Sequence, residues 1–153
     1  VAAGLVTAAP QNRPASVFVA TPSDKSHLPL AEEFGLTPLR WQDRHDPAPL
    51  LVINTTPLGM SGKAEQDTPY NFSLNKPLAP ASDANATPIA YDIVYNPLET
   101  RFLREARAAG RRCISGLEMF FGQGDAQFRL WTGQGLPPES RHALEAALGQ
   151  QPR

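Results

Sequence analysis

Between residues 90 and 123 the chain passes through an apolar strand, a polar turn, a short amphipathic helix, a second apolar strand and a second helix. PIAYDIV (residues 88–94) reads as the first strand and Tyr95-Asn96-Pro97-Leu98 as the turn out of it. Residues 101–109 read as the helix, with Phe102, Leu103, Ala106 and Ala109 on one face, Thr100 as its cap and Gly110 as its stop. RRCIS (residues 111–115) is the second strand, and Gly116 opens a helix through Met119, Phe120, Gln123, Gln127 and Leu130 to Trp131. Strand, helix, strand and helix alternating through short connections read as a βαβ unit, which points to an α/β fold with a mostly parallel sheet.

The remaining segments fit the same class. SVFVA (residues 16–20) and LLVIN (residues 50–54) are short aliphatic runs of the kind found in parallel strands covered on both faces. After the first, Ser23 or Asp24 can cap a helix ending near Phe34 and Gly35, with Leu28, Ala31 and Phe34 on one face and Pro29 inside it. Residues 39–41 form a candidate short strand, and residues 43–49 a polar, proline-rich loop. Residues 61–87 are long, polar and rich in Pro, Asn and Ala, which marks a functional loop or a concealed helical turn. A last helix is expected over residues 139–148, with Pro138 near its first position and Leu144, Ala147 and Leu148 on one face. Residues 1–8 have the composition of a helix already under way and no capping residue ahead of them, and Val1 is not an initiator Met. Upstream sequence is therefore expected.

Composition excludes several classes of function. Fourteen Lys and Arg against 15 Asp and Glu leave a net charge of -1 over 153 residues, so no basic field awaits nucleic acid or an acidic membrane. The single cysteine, Cys113, rules out an internal disulfide or a Cys-based zinc site, and its apolar strand suits a buried, inert thiol. The three histidines fit no metal-ligand spacing. No apolar run approaches the roughly 20 residues that span a bilayer, and no signal peptide is visible, so a soluble, cytoplasmic protein is expected.

Three strand ends carry polar residues: Thr21-Pro22-Ser23, Asn54-Thr55-Thr56 and Tyr95-Asn96. In a parallel α/β sheet such ends share one edge, and ligands bind in the crevice outside it. Hydroxyl, amide and backbone NH groups there suit a ribose or an amide. The same residue types also satisfy turn backbone without any ligand.

INTTPLGM at residues 53–60 resembles the Asn-Ala/Thr-Thr-Pro-x-Gly-Met turn of shikimate and quinate dehydrogenases. YDIVYNPLETRFL at residues 91–103 is similar to their Tyr-Asp-x-x-Tyr-x-Pro-x-x-Thr segment, and GLEMFFGQGDAQFRLWTG at residues 116–133 to their Gln-bearing helix. All three motifs occur in the family's order. The resemblance implies a Rossmann-type three-layer sandwich, incomplete at its N-terminus, in which residues 1–133 are part of an NAD(P)-binding domain. Residues 134–153 would be a C-terminal helix packing on a substrate domain outside the chain. The implied reaction is the reversible NAD(P)-dependent reduction of 3-dehydroshikimate to shikimate, or its quinate counterpart, by a possible homodimer. A non-catalytic relative that binds nucleotide or a shikimate-like ligand is the alternative.

By the same resemblance Tyr95 and Gln123 would bind substrate, while Asn54, Thr55, Thr56, Ile93, Gly116 and Met119 would meet the cofactor, with Gly116 letting it approach where no Cβ intrudes. Thr21, Ser23 and Lys25 would serve its ribose-phosphate end. The family's Gly-rich loop and its proton-handling Lys–Asp pair are not in the chain, so no catalytic residue is assigned. Two departures stand out. Pro22 occupies the position of the Arg that pairs with the 2′-phosphate of NADP, and Glu118 falls where a small residue or Pro is usual.

Overall fold

The computed structural model describes residue 14 and residues 16–74 and 87–149, in two compact units, Val1–Pro47 and Ala48–Arg153. The helix expected over residues 1–8 lies outside the described residues.

In the first unit, β1 (Phe18–Val19) and β2 (Thr37–Pro38) pair in parallel, with Phe18 opposite Thr37 and Val19 opposite Pro38. Helix α1 (His27–Phe34) joins them and closes at Gly35, whose φ of 63° is left-handed. The helix begins later than its sequence suggests: Ser26 holds the cap position, and the Ser23 hydroxyl accepts from the Ser26 NH at 3.3 Å. Pro29 thereby falls in the first turn, where no NH is needed for an intrahelical bond. The buried face also differs from the apolar spacing. Leu28 is 50% exposed, whereas His27 and Ala31 are buried. His27 tolerates burial because its Nδ1 is hydrogen-bonded to the Thr21 hydroxyl at 2.9 Å. The strand expected at residues 39–41 sits instead at Thr37–Pro38, and Trp41–Asp43 forms a 3-10 turn. The Trp41 NH donates to Asp24 Oδ1 at 2.5 Å, which draws that turn away from strand geometry.

The second unit holds a parallel sheet of β3 (Leu51–Asn54), β4 (Ile89–Asp92) and β5 (Arg112–Ile114), in that order. Its register sets Val52 beside Ala90 and Ala90 beside Cys113. These three share one face and pack on Phe102, Leu103 and Ala106 of α2 (Arg101–Ala108), the crossover helix between β4 and β5. Tyr70 and Phe72 complete that core, with ring centroids 4.9 Å apart and Phe72 a further 5.1 Å from Phe102. The described part of the long polar stretch is thus a run of turns that delivers two aromatic side chains, each burial being worth roughly 1.5–3 kcal/mol. Ala109 lies past the end of α2 and is exposed.

At the amino ends of the strands, the buried Arg111 donates to the carbonyls of Pro49, Leu50 and Ile89 at 3.0, 3.2 and 3.4 Å. Its guanidinium also lies 5.3 Å from the Phe72 ring centroid. Helix α3 (Gly116–Thr132) follows β5, and α4 (Ser140–Gly149) follows α3. Helix α4 buries no residue; Arg141 ties it to α3 by two bonds to the Glu118 carboxylate and lies 5.8 Å from the Phe121 ring. Glu118, anomalous in the sequence, is the anchor of that helix. Among the described residues no helix is long and apolar enough to cross a membrane, and no three metal-ligating side chains gather.

Candidate functional site

The carboxyl ends of β3 and β4 lie side by side, and the register pairs Asn54 with Asp92. Both are buried, on the face that packs against α2. Asn54 Nδ2 donates to Asp92 Oδ1 at 2.9 Å and to the Leu58 carbonyl at 3.0 Å. Asn54 Oδ1 accepts from the Thr56 NH at 2.9 Å and the Thr56 hydroxyl at 2.7 Å. Every donor and acceptor of this amide is therefore engaged inside the protein. Asn54, which the resemblance assigns to the cofactor, is buried and shapes the turn that presents Thr55. Thr56 is half-buried and its hydroxyl also receives the Leu58 NH at 3.2 Å, while Thr55 is exposed.

Asp92 collects three donors. Oδ1 accepts from the Val94 NH at 3.0 Å and from Asn54, and Oδ2 accepts from the Thr100 hydroxyl at 2.5 Å. Thr100 also caps α2 by accepting from the Leu103 NH at 3.3 Å. Burial pushes the Asp92 carboxyl above the ordinary carboxylate range, against the pull of the Thr100, Val94 and Asn54 hydrogen bonds. The two strand-end turns are joined by backbone as well: the Ile93 NH donates to the Asn54 carbonyl at 3.1 Å and the Ser61 NH to the Asn96 carbonyl at 2.9 Å. Gly59, at a φ of 93°, faces the Thr100 side chain, and a Cβ there would lie 3.3 Å from Thr100 Cβ.

The Tyr95 ring stacks on Phe120 of α3, centroids 4.5 Å apart and planes tilted by 31°. Gln123 lies three residues beyond Phe120, on the same face of α3, and is exposed; Met119 is half-buried. The structure thus joins the Tyr95 turn to the helix that bears Gln123. Gly116 is buried where α3 meets the β4 turn: a Cβ on it would come 2.5 Å from the Ile93 oxygen and 2.5 Å from the Val94 carbonyl carbon. The close approach that demands glycine here is made by the protein's own backbone. Burial and the nearby Glu118 carboxylate both push the Tyr91 phenol upward.

Thr21, Ser23 and Lys25 belong to the other unit. The Thr21 hydroxyl is held by His27 and the Ser23 hydroxyl by Ser26 at 2.6 Å, while Lys25 is exposed. An open groove of about 700 Å³ beside β5 is lined by Leu98, Arg107, Arg112, Ser115, Glu118 and neighbours, and by none of the expected site residues. The sequence reads Asp92 as a structural residue bonding turn amides, as the Val94 NH bond shows; it does not reveal the bond from Asn54, the link from Thr100 or the Phe120 stack. The one available signal was a Thr eight residues after an Asp at a strand end.

No family model matches the chain. A shikimate dehydrogenase (NADP(+)) of Pelobacter propionicus is 49% identical over 125 residues, covering 82% of this chain and 42% of that protein. The shikimate dehydrogenase (NADP(+)) of Oleidesulfovibrio alaskensis is 44% identical over 119 residues, 76% of this chain and 39% of its own. Among solved structures, shikimate 5-dehydrogenase from Thermus thermophilus, in complex with NADP(H) and shikimate, superposes with a TM-score of 0.67 at 32% identity, covering 87% of this chain and 46% of that one. The chain spans less than half the length of these relatives.

Proposed function

We propose, from the premise that this chain belongs to the shikimate dehydrogenase family, that it forms the cofactor-binding part of an oxidoreductase. The full-length protein interconverts 3-dehydroshikimate and shikimate, or the corresponding quinate pair, with NADP or NAD. One observation carries the reading: Tyr95, in the turn after β4, is stacked on the helix that presents Gln123, at the sheet edge where Thr55 is exposed. Two polar side chains for a polyol and a hydroxyl for a nicotinamide ribose then line one edge.

When bound, the nicotinamide supplies or accepts the hydride. The residues present fit such a group at its nicotinamide end: Thr55 offers an exposed hydroxyl, the backbone at Ile93 borders the same turn, and Met119 offers a half-buried thioether for packing. Thr56 and Asn54 hold that turn in shape. Tyr95 and Gln123 hydrogen-bond and orient the substrate hydroxyls, and a Lys–Asp pair outside these 153 residues moves the proton. In the other unit Lys25 pairs with the 2′-phosphate in place of the arginine that Pro22 replaces, and Thr21 and Ser23, bonded to His27 and Ser26, shape the turn that serves the ribose-phosphate. Residues 1–133 make up the nucleotide-binding portion, and residues 134–153 dock on the substrate domain. The full-length protein acts in the cytoplasm as a homodimer.

The test is to purify the full-length protein and follow nicotinamide reduction with shikimate and with quinate, each with NADP+ and NAD+. Turnover with at least one pair is expected, and none from residues 1–153 alone. A full-length protein inert toward both substrates with both cofactors overturns the enzyme reading. That result would favour a second reading, a non-catalytic relative using the same crevice, for which Pro22 at the phosphate-pairing position is the supporting observation.

A further inference from the structure

We infer that Asp92 is a positioning residue that locks the turn after β3 and the turn after β4 into one rigid edge, fixing the cofactor contacts relative to the substrate contacts. The inference rests on the assignment of Thr55 to the cofactor and Tyr95 to the substrate. Its physical basis is the set of donors around one carboxylate. They come from three separate elements: Asn54 from the end of β3, the Val94 NH from the turn after β4, and Thr100 from the cap of α2. Val94 immediately precedes Tyr95. Asn54 in turn holds both the NH and the hydroxyl of Thr56, so displacement of Asp92 moves the Thr55-Thr56 turn and the Tyr95 turn together.

The chemistry of the position calls for a carboxylate. All three neighbours donate, and an ionised carboxyl is the one side-chain group of this size that only accepts. With 0% exposure, Asp92 has no water to replace a lost partner. In Asp92→Asn, the Nδ2 replacing an oxygen faces either Asn54 and Val94 or Thr100. In the first case two donors collide; in the second the Thr100 hydroxyl must reverse while still receiving the Leu103 NH. The variant keeps the volume and loosens the junction, whereas Asp92→Ala leaves the Val94 NH and one Asn54 NH unpaired.

The experiment uses the full-length protein and Asp92→Asn, with two readouts per folded molecule. Amide exchange is expected to accelerate at both Val94 and Thr56, by about ten-fold or more, while Ala90 in mid-strand keeps its rate. In steady-state kinetics with shikimate and NADP+, the KM for both is expected to rise and kcat to fall by about ten-fold, as for a small misplacement of bound groups. A merely structural residue would lower the melting temperature and leave kcat and both KM values within two-fold of the parent. That outcome, or acceleration at Val94 without Thr56, overturns the inference. If the parent protein oxidises neither substrate with either cofactor, the functional reading fails by itself, and the paired exchange at Val94 and Thr56 still decides whether Asp92 couples the turns.

Discussion

Replacing Gly116 by alanine separates two reasons for glycine at the start of α3. Gly116 is the first helical residue and has no left-handed φ, so alanine suits its backbone; relieving glycine's entropy would stabilise the protein by about 0.5–1 kcal/mol. Against this stands the space. A Cβ would approach the Ile93 oxygen to 2.5 Å and the Val94 carbonyl carbon to 2.5 Å, with the Val94 oxygen closer still. All three are backbone atoms, so no side chain can swing aside. An ordinary contact at 3.4 Å with the nearest of them, the Val94 oxygen, requires α3 and the β4 turn to separate by about 1 Å. Overpacking of this kind costs about 1–3 kcal/mol, so the net destabilisation is roughly 0–2.5 kcal/mol, centred near 1, or a melting temperature lower by up to about 10 °C. The same displacement moves Tyr95 against Phe120 and should raise the KM for shikimate. Thermal unfolding and kinetics of the full-length Gly116→Ala protein measure both. A variant of parental stability that loses affinity for NADP+ alone would refute the packing argument and return Gly116 to the role of admitting the cofactor.

Three further outcomes are expected. Arg111→Met removes the cation that bridges the Pro49, Leu50 and Ile89 carbonyls, and should cost about 1–3 kcal/mol in urea unfolding; a change below about 0.5 kcal/mol would show that the strand ends hold without it. The Arg141 guanidinium holds the Glu118 carboxyl below its ordinary value of 4.5. The stabilisation from this pair is therefore present above that pH and lost as the pH falls through the lowered value. Arg141→Ala should flatten that part of the acid-unfolding profile, and an unchanged profile would exclude the anchor. Lys25→Ala should raise the KM for NADP+ by about ten-fold and leave that for NAD+ unchanged; equal effects on the two cofactors would remove Lys25 from the 2′-phosphate.

Much of the second unit was legible in the sequence because its signals are local. LLVI (residues 50–53) is a continuous aliphatic run, PIAYDIV is apolar but for Asp92, Thr100 and Gly110 bracket α2, and Phe102, Leu103 and Ala106 repeat at helical spacing. What escaped depends on partners distant in sequence. Asn54 and Asp92 are 38 residues apart and meet only through strand register. Tyr70 and Phe72 sit in a stretch whose polar composition conceals its contribution to the core. Nothing local in the sequence marks His27 as buried, since its partner is the Thr21 hydroxyl, and Glu118 lacked a reason until Arg141 reached it from α4. At the site, the residue types at the strand ends were readable, but their division of labour was not. Asn54 faces inward and Thr55 outward, and only the hydrogen-bond pattern separates them.

The central claim is that the β4 turn and α3 form the substrate-facing wall. The most direct test is Gln123→Ala in the full-length protein, measured as separate KM values for shikimate and NADP+. Gln123 is exposed and one helical turn beyond the Tyr95–Phe120 stack, so its loss should leave the fold and the cofactor unaffected. The KM for shikimate is expected to rise by about ten-fold or more, with that for NADP+ unchanged. An equal rise in both, or in neither, would contradict the claim.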